Sequence, residues 1–402
     1  MKLPAIKRWT AAEHPGFKAV VHRELVRIFS RRIYLLMVLL LPLVSFAVLA
    51  AIFSTGTPRH LPIAVYDADN TDFSRRLVRL LDAAPTLHVA QRVTDLKEGK
   101  ALILSGGSYA LVVLPKGLER DRFRGQGAQV TSFYNNQSMT AGSIVNRGIR
   151  DTLKAVSAEL DQQSRRQRGE TSAAAVVHAE PIIVESRALF NPYLNYLYFL
   201  AGALMPTMLQ IFIIVVTVYA VGVEMKEGSA RNWLDTAGGS PWRAVGGKLA
   251  PYTAGFLCVG LLMNSYLFLW LQLPLRGSVT LIALATVLLV LSYQAVALLI
   301  VAVTANLRIS LSTAAIYAAP AFAFAGITFP VMAMPLSGKI WGALLPLSYY
   351  LIILLDQGMR GAPVSVSLPA LAAMCGFVVV IPILAVPRLG RLMVDEQQWG
   401  KR

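Results

Sequence analysis

Charge is scarce in this 402-residue chain: Asp, Glu, Lys and Arg make up 15% of it, against roughly 25% in an average soluble domain. With 55% hydrophobic residues and a mean hydropathy of +0.55, that scarcity excludes an ordinary soluble protein and places the chain in a bilayer. Cysteine is nearly absent. The two present, Cys258 and Cys375, fall inside apolar runs, so no disulfide and little thiol chemistry are expected. The histidines His14, His22, His60, His88 and His178 are scattered, with no HExxH pair and no His/Cys cluster of metal-ligand spacing, which removes the usual metal sites. A GxSxG elbow is also missing. The nearest approach to a P-loop, GGSPWRAVGGKL, lacks the first glycine at the required offset and has Leu249 where a hydroxyl would hold Mg²⁺. No ATP site of that kind is expected. Acidic residues are outnumbered, 22 to 38, for a formal charge of +16. No nucleic-acid module accompanies the excess, and the basic residues gather beside apolar runs, as an anionic leaflet and the positive-inside bias require.

What the chain has in abundance is apolar runs. Ile33 to Phe53 is the first, and Tyr193 to Val223 the second; as a helix the second would reach roughly 45 Å, more than the ~30 Å hydrocarbon core of a bilayer. Leu249 to Leu275, Val279 to Asn306, Ile309 to Met334 and Val364 to Val386 follow. Residues 192–386 therefore hold spans two to six. Between the last two lies LSGKIWGALLPLSYYLIILLDQG, broken by Pro346 and carrying Lys339 and Asp356; residues 336–357 read as a re-entrant or interfacial hairpin. No cleavable signal peptide is expected, because the first run is long enough to span. Its basic flank puts the N-terminus in the cytoplasm, and six crossings return the 387–402 tail, with Arg388, Arg391, Lys401 and Arg402, to the same side. Arg308 falls there too, whereas Arg276 is a single exception outside.

Residues 1–32 form a basic lead. Phe17, Val20, Val21, Leu25, Ile28 and Phe29 recur near helical spacing, while Lys18, Arg23, Arg27, Arg31 and Arg32 occupy other faces. The pattern reads as a helix lying in the membrane interface, or equally as a plain positive-inside flank. Residues 54–191 have the character of a soluble domain large enough for its own core. LPIAVY alternates as a strand, DADNTD supplies a turn and an N-cap, and Phe73, Leu77, Leu80 and Leu81 mark the next helix. LHVAQ, YALVVL and VTSFY read as further strands, with a second helix from Thr94 and a long one from Ser138 to Gln163. The β-α-β-α-β order predicts an inserted α/β domain. SRRQRGETSAAA reads as a mobile connection, VVHAEPIIVESR as an extended return, and Ser105 to Ser108 as a turn rather than an anion nest.

Few polar residues interrupt the spans: Thr207, Gln210, Asn264, Gln294 and Thr313. None is ionised, which argues against a proton or ion relay. They either line a substrate path or bond helix to helix, the second being the commoner use of such groups. Pro206, Pro320 and Pro330 should kink their helices. Residues 224–248, VEMKEGSARNWLDTAGGSPWRAVGGK with its leading valine, form a compact polar loop between two spans. As a helix, Glu227 and Arg231 would pair four apart, leaving Trp233 and Leu234 to fill a pocket on a partner. An interface turn with Trp233 in the headgroup belt reads the same residues without a partner.

The basic lead, the single span, the insert opening with IAVYDADNTDFSRRLVRLLDA, the FNPYLNYLYFLAG entry to span two and the EMKEGSARNWLDTAGGSPWRAVGGK loop together resemble the ABC-2-type membrane subunit of ABC exporters. The branch with a large periplasmic insert, which works with membrane-fusion adaptors in Gram-negative bacteria, is the more similar. One departure is Ser229 after Gly228, where members often carry Thr. The resemblance implies a polytopic α-helical membrane protein of the bacterial inner membrane, six spans, N-in/C-in, like type V ABC exporters, with an α/β periplasmic domain. It implies a permease that binds no cofactor itself, ATP and Mg²⁺ residing on separate ABC ATPase subunits, and that pairs with a second permease copy or close paralogue. The lead, with Phe17, Val21, Arg23, Leu25, Arg27 and Ile28, becomes the connecting helix. Glu224, Glu227, Gly228, Arg231, Trp233 and Leu234 become the segment that couples to the ATPase, and spans two and five line the path of a hydrophobic or amphipathic, drug-like or lipid-like compound. A membrane-anchored receptor or assembly protein acting through the insert is the alternative reading.

Overall fold

The computed structural model describes residues 15–54, 58–123, 129–135, 139–167, 195, 197–395 and 397. The chain divides into two compact units: residues Met1–Ser54 with Leu197–Arg402, and residues Thr55–Tyr196. Helix α1, Phe17–Ser30, ends where Arg31 turns extended (φ −117°, ψ 96°). Helix α2, Arg32–Ile52, follows at once. It contains a π turn at Leu36–Leu40, where Pro42 lacks the N–H that would bond the Val38 carbonyl.

The second unit is a four-stranded sheet with order β2-β1-β3-β4. Strands β1 (Leu61–Asp67), β2 (Leu87–Val93) and β3 (Ala110–Leu114) are parallel, and β4 (Thr131–Tyr134) runs antiparallel to β3. The crossovers that parallel strands require are α3 (Asp72–Asp82) and α4 (Leu96–Leu104); α5 (Leu118–Phe123) precedes β4, and α6 (Met139–Gln167) closes the order. Period-two alternation decides the faces. Leu61, Ile63, Val65, Ala110 and Val112 pack with Leu77 and Leu81 of α3 and with Val145 and Ile149 of α6. Ala64 and Leu111 point the other way, onto Leu102 and Ile103 of α4. The Ser105–Ser108 stretch is a turn, with Gly106 at φ +77° and the Ser108 hydroxyl donating to the Ala110 carbonyl at 2.7 Å. Helix α6 continues four residues past the expected Gln163. The extended return VVHAEPIIVESR, the start of span two at Tyr193 and the tail residues Lys401 and Arg402 lie outside the described residues.

The first unit continues with α7 (Leu197–Lys226), α8 (Ala230–Thr236), α9 (Pro241–Trp270), α10 (Val279–Thr304), α11 (Leu307–Phe324), α12 (Leu336–Ala343), α13 (Pro346–Arg360) and α14 (Val364–Val394). Among the described residues, α2, α7, α9, α10, α11 and α14 are long and apolar enough to cross a membrane. Helices α12 and α13 meet at a bend of 82°, a broken span or a re-entrant loop, and Pro346 opens α13 there. Helices α7 and α10 are the most enclosed of the six. Helices α2 and α14 instead present Leu39, Leu40, Val48, Ile52, Val379, Ile383 and Leu384 outward. An exposed apolar surface of that extent needs a lipid environment. Pro320 divides α11, which resumes at Ala321.

Candidate functional site

The polar loop between α7 and α9 is built by two helix stops of the same design. At the end of α7, Gly228 takes φ +68°; the Ser229 N–H bonds the Glu224 carbonyl at 2.8 Å and the Gly228 N–H bonds that of Met225 at 3.4 Å. This is the paired pattern that closes a helix on a left-handed glycine. Gly238, at φ +70°, does the same for α8: Gly239 N–H bonds Leu234 O at 3.0 Å and Gly238 N–H bonds Asp235 O at 2.9 Å. Ser240 then caps α9, with Pro241 in its first turn. Helix α8 is thereby folded between α7 and α9.

One face of α8 must bury against that corner, and Ala230, Trp233, Leu234 and Ala237 at helical spacing supply it. The Trp233 indole N–H donates to the Ala244 carbonyl at 3.1 Å, and the Lys248 ammonium stands 5.2 Å from the indole centroid. Trp233 and Leu234 thus anchor the chain's own corner and do not offer themselves to a partner's pocket. Nor do Glu227 and Arg231 share a helix. Glu227 caps α7, Gly228 breaks the chain, and the Glu227 carboxylate takes Arg31 at 3.0 Å instead. Arg231, Asn232 and Asp235 form the exposed side of α8.

Helix α1 lies along the whole corner. At its start the Gly16 N–H donates to the Thr236 carbonyl at the end of α8 (2.9 Å). A turn later it passes so close to α9 that a Cβ on Gly247 would stand 2.8 Å from the Val20 Cβ and 2.9 Å from the Phe17 carbonyl. Beyond that point the contact is ionic. Arg23 grips Glu224 with two bonds of 3.0 and 2.9 Å, and Arg27 bonds the same carboxylate. The Lys248 ammonium bridges Glu224 (2.8 Å) and Glu24 (2.7 Å), and the Tyr252 hydroxyl donates to Glu24 at 2.7 Å. Ser229 donates its hydroxyl to Glu224.

Glu24, Glu224 and Lys248 are 0% exposed and Arg23 is 5% exposed. Charges taken so far from water persist only when paired and fully hydrogen-bonded. Three cations, Arg23, Arg27 and Lys248, face the two carboxylates. The surplus positive charge sits where α1 and α7 both end, and helix C-termini carry partial negative charge. Burial by itself would lower the pKa of Arg27, but Glu224 and Glu24 hold it above the ordinary arginine value. Arg31 is raised likewise, burial being outweighed by its hydrogen bond to Glu227. The cluster ties α1, α7, α8 and α9 together.

Helix α1 has two distinct faces. Its arginine stripe, Arg23, Arg27 and Arg31, turns inward, while Phe17 (47% exposed), Leu25 and Phe29 (69%) turn out. Val21 is half-buried and Ile28 buried. Sequence reasoning missed Glu24, Lys248 and Tyr252. Two signals were present: arginines four residues apart make one stripe, and Lys248 is a lone charge at the start of an apolar run.

The polar residues expected along a substrate path are engaged within the bundle. The Thr207 hydroxyl donates to the Ala203 carbonyl of its own helix, and the Gln210 amide donates across to Ala318 of α11. Asn264 donates to Thr286 and accepts from the Tyr350 hydroxyl. Gln294 accepts from Thr253. Thr313 lies half-buried on α11.

A helical bundle with six membrane-length apolar helices and an inserted α/β unit defines a multi-pass membrane protein. The chain matches the family described as ABC-2 family transporter protein over residues 32–386 and belongs to it. It is therefore of the class of ABC-transporter membrane subunits, whose partner is an ABC ATPase. No curated protein matches the chain.

Proposed function

We propose that this chain is the permease subunit of an ATP-driven exporter in a bacterial inner membrane, with both termini in the cytoplasm and the α/β unit in the periplasm. It works as a pair, with a second copy or a close paralogue, and moves a hydrophobic or amphipathic compound, drug-like or lipid-like, outward. Separate ATPase subunits carry ATP and Mg²⁺ and press on the α7–α8–α9 corner, while a membrane-fusion adaptor engages the periplasmic unit. The single observation that supports this reading best is the construction of the corner. A short helix held by two glycine stops and a buried tryptophan presents Arg231, Asn232 and Asp235 outward, on the same end of the bundle as α1. Such a rigid, charged projection suits the receipt of force from a soluble protein.

The test is co-purification with an ABC ATPase sought among the products of the neighbouring genes. Arg231→Glu and Asp235→Arg should each reduce ATPase capture while leaving membrane insertion intact, because both side chains are exposed. Full capture and full stimulation of the ATPase by both variants would remove the coupling role from α8. Leu234→Asp is a poor probe of the same idea, since it would place a carboxylate in the buried face of α8.

A further inference from the structure

Helix α1 touches every element of the corner, and each contact is of a kind that resists sliding. A backbone hydrogen bond joins its start to the end of α8, Gly16 to Thr236. Its first turn is seated against the bare backbone of Gly247, where any side chain would collide with Val20 and the Phe17 carbonyl. Its last two turns are held by Glu224, a carboxylate on α7 that also accepts from Lys248 of α9 and from Ser229 ahead of α8. Glu24 completes the arrangement by taking Lys248 and Tyr252, both on α9. Sliding α1 by one turn would leave buried charges unpaired, which costs more than the motion of a packed surface helix.

Chain geometry then determines what moves with it. The backbone is extended only at Arg31, between α1 and α2, and there the Arg31 side chain bonds Glu227 at the end of α7. The first membrane helix therefore begins at a joint clamped to the corner.

We infer that Glu24, Lys248 and Glu224 are positioning residues that fuse α1 and the α7–α8–α9 corner into one lever, so that displacement received at α8 is delivered to α2 as well as to α7 and α9. This rests on the proposal that an ATPase drives the corner. The lever reaches a helix that the loop itself does not touch in sequence, and it assigns a mechanical role to residues outside the loop.

The experiment uses the full chain assembled with its ATPase in lipid nanodiscs, with Cys258 and Cys375 replaced by serine and spin labels at exposed sites. Labels at Leu25 and Asn232 should give one narrow distance that is the same in nucleotide-free and MgATP-vanadate-trapped transporter. Labels at Leu39 and Val379 should report a shift of α2 on trapping, and that shift should be lost in Glu24→Gln and in Lys248→Met, whose Leu25–Asn232 distributions broaden. A Leu25–Asn232 distance that changes between the two states, or a Leu39–Val379 shift retained in both variants, overturns the lever. Should the charge variants fail to insert, Tyr252→Phe decides. It removes only the hydroxyl on Glu24, and an unchanged Leu25–Asn232 width with an unchanged Leu39–Val379 shift would count against the inference. If no ATPase co-purifies, the export reading fails, but the nucleotide-free Leu25–Asn232 widths still decide whether the lever exists.

Discussion

Two carboxylates show how single residues are used in this chain. Glu24 is buried and answers a buried ammonium, so Glu24→Ala should cost about 3–5 kcal/mol, the usual effect of stranding one member of a buried ion pair. Thermal unfolding of the detergent-purified chain should register that loss. Removing both members, Glu24→Leu with Lys248→Met, should recover a large part of it, since well-packed apolar groups replace buried pairs at little cost; a double variant as unstable as the single one would show that the pair is not the source. Asp69 does different work in the inserted unit. It accepts from the backbone N–H groups of Gly117 (2.6 Å), Leu118 (3.1 Å) and Glu119 (3.1 Å) and from the Thr71 hydroxyl (2.8 Å), and so caps α5 from a distant loop. Partial burial pushes its pKa up, but the hydrogen bonds win and hold it below the ordinary value. Its folded pKa is then lower than its unfolded one, so its stabilisation is present above the unfolded value, about 3.9, and fades as pH falls through the folded value. Urea melts of the inserted unit between pH 7 and pH 3 should show that fall in the parent and a flatter profile in Asp69→Ala.

At the scale of the element, α1 is the case in which pattern gives the helix but not its partners. A Cβ at Gly247 has nowhere to go between Val20 and the Phe17 carbonyl. Gly247→Val should therefore lift α1 from α9, at the roughly 1–3 kcal/mol typical of overpacking, and raise the labelling rate of a cysteine placed at Val20. The equivalent change at Gly376, which has open space around it, should leave that rate alone. The helix itself was legible from its apolar spacing, as were the spans, because an uncharged run of membrane length has few alternatives. The two glycine stops of the corner went unread: glycine just past a helix end is a local signal, but pairing Glu227 with Arg231 drew one helix straight through Gly228. The ion cluster was not legible either, for a physical reason. Arg23 meets Glu224 across 201 positions and Lys248 meets Glu24 across 224, and no local preference encodes a pairing at that separation. Periodicity located the arginine stripe but not its direction, because an interfacial helix and a docked one share the same spacing. Trp233 misled for a similar reason: an indole in a polar loop looks like an anchor for a partner until the face it belongs to, with Ala230, Leu234 and Ala237, is seen to close on Ala244.

For the whole molecule, the separation into two units carries the last prediction. The inserted unit holds its own apolar cluster, in which Ile63, Val65, Leu81, Leu87, Val112 and Val145 are buried together. Its parallel strands are joined by their own crossovers, and its capping contacts, Thr71 with Ser74, Asp95 with Glu98 and Asp69 with α5, are all internal. A unit of this size with its own core and internally capped helices should fold by itself. Residues 54–191 expressed alone should be monomeric in buffer, give a mixed helix and strand circular dichroism spectrum, and unfold in one cooperative step in urea. Leu81→Ala, which opens a cavity in the centre of the cluster, should lower the midpoint by the equivalent of about 2–5 kcal/mol, whereas Leu104→Ala, at a side chain 76% exposed, should barely move it. A fragment that is unfolded in buffer, or that unfolds without cooperativity, would mean that the bundle supplies part of the unit's stability and that the two cores are energetically one.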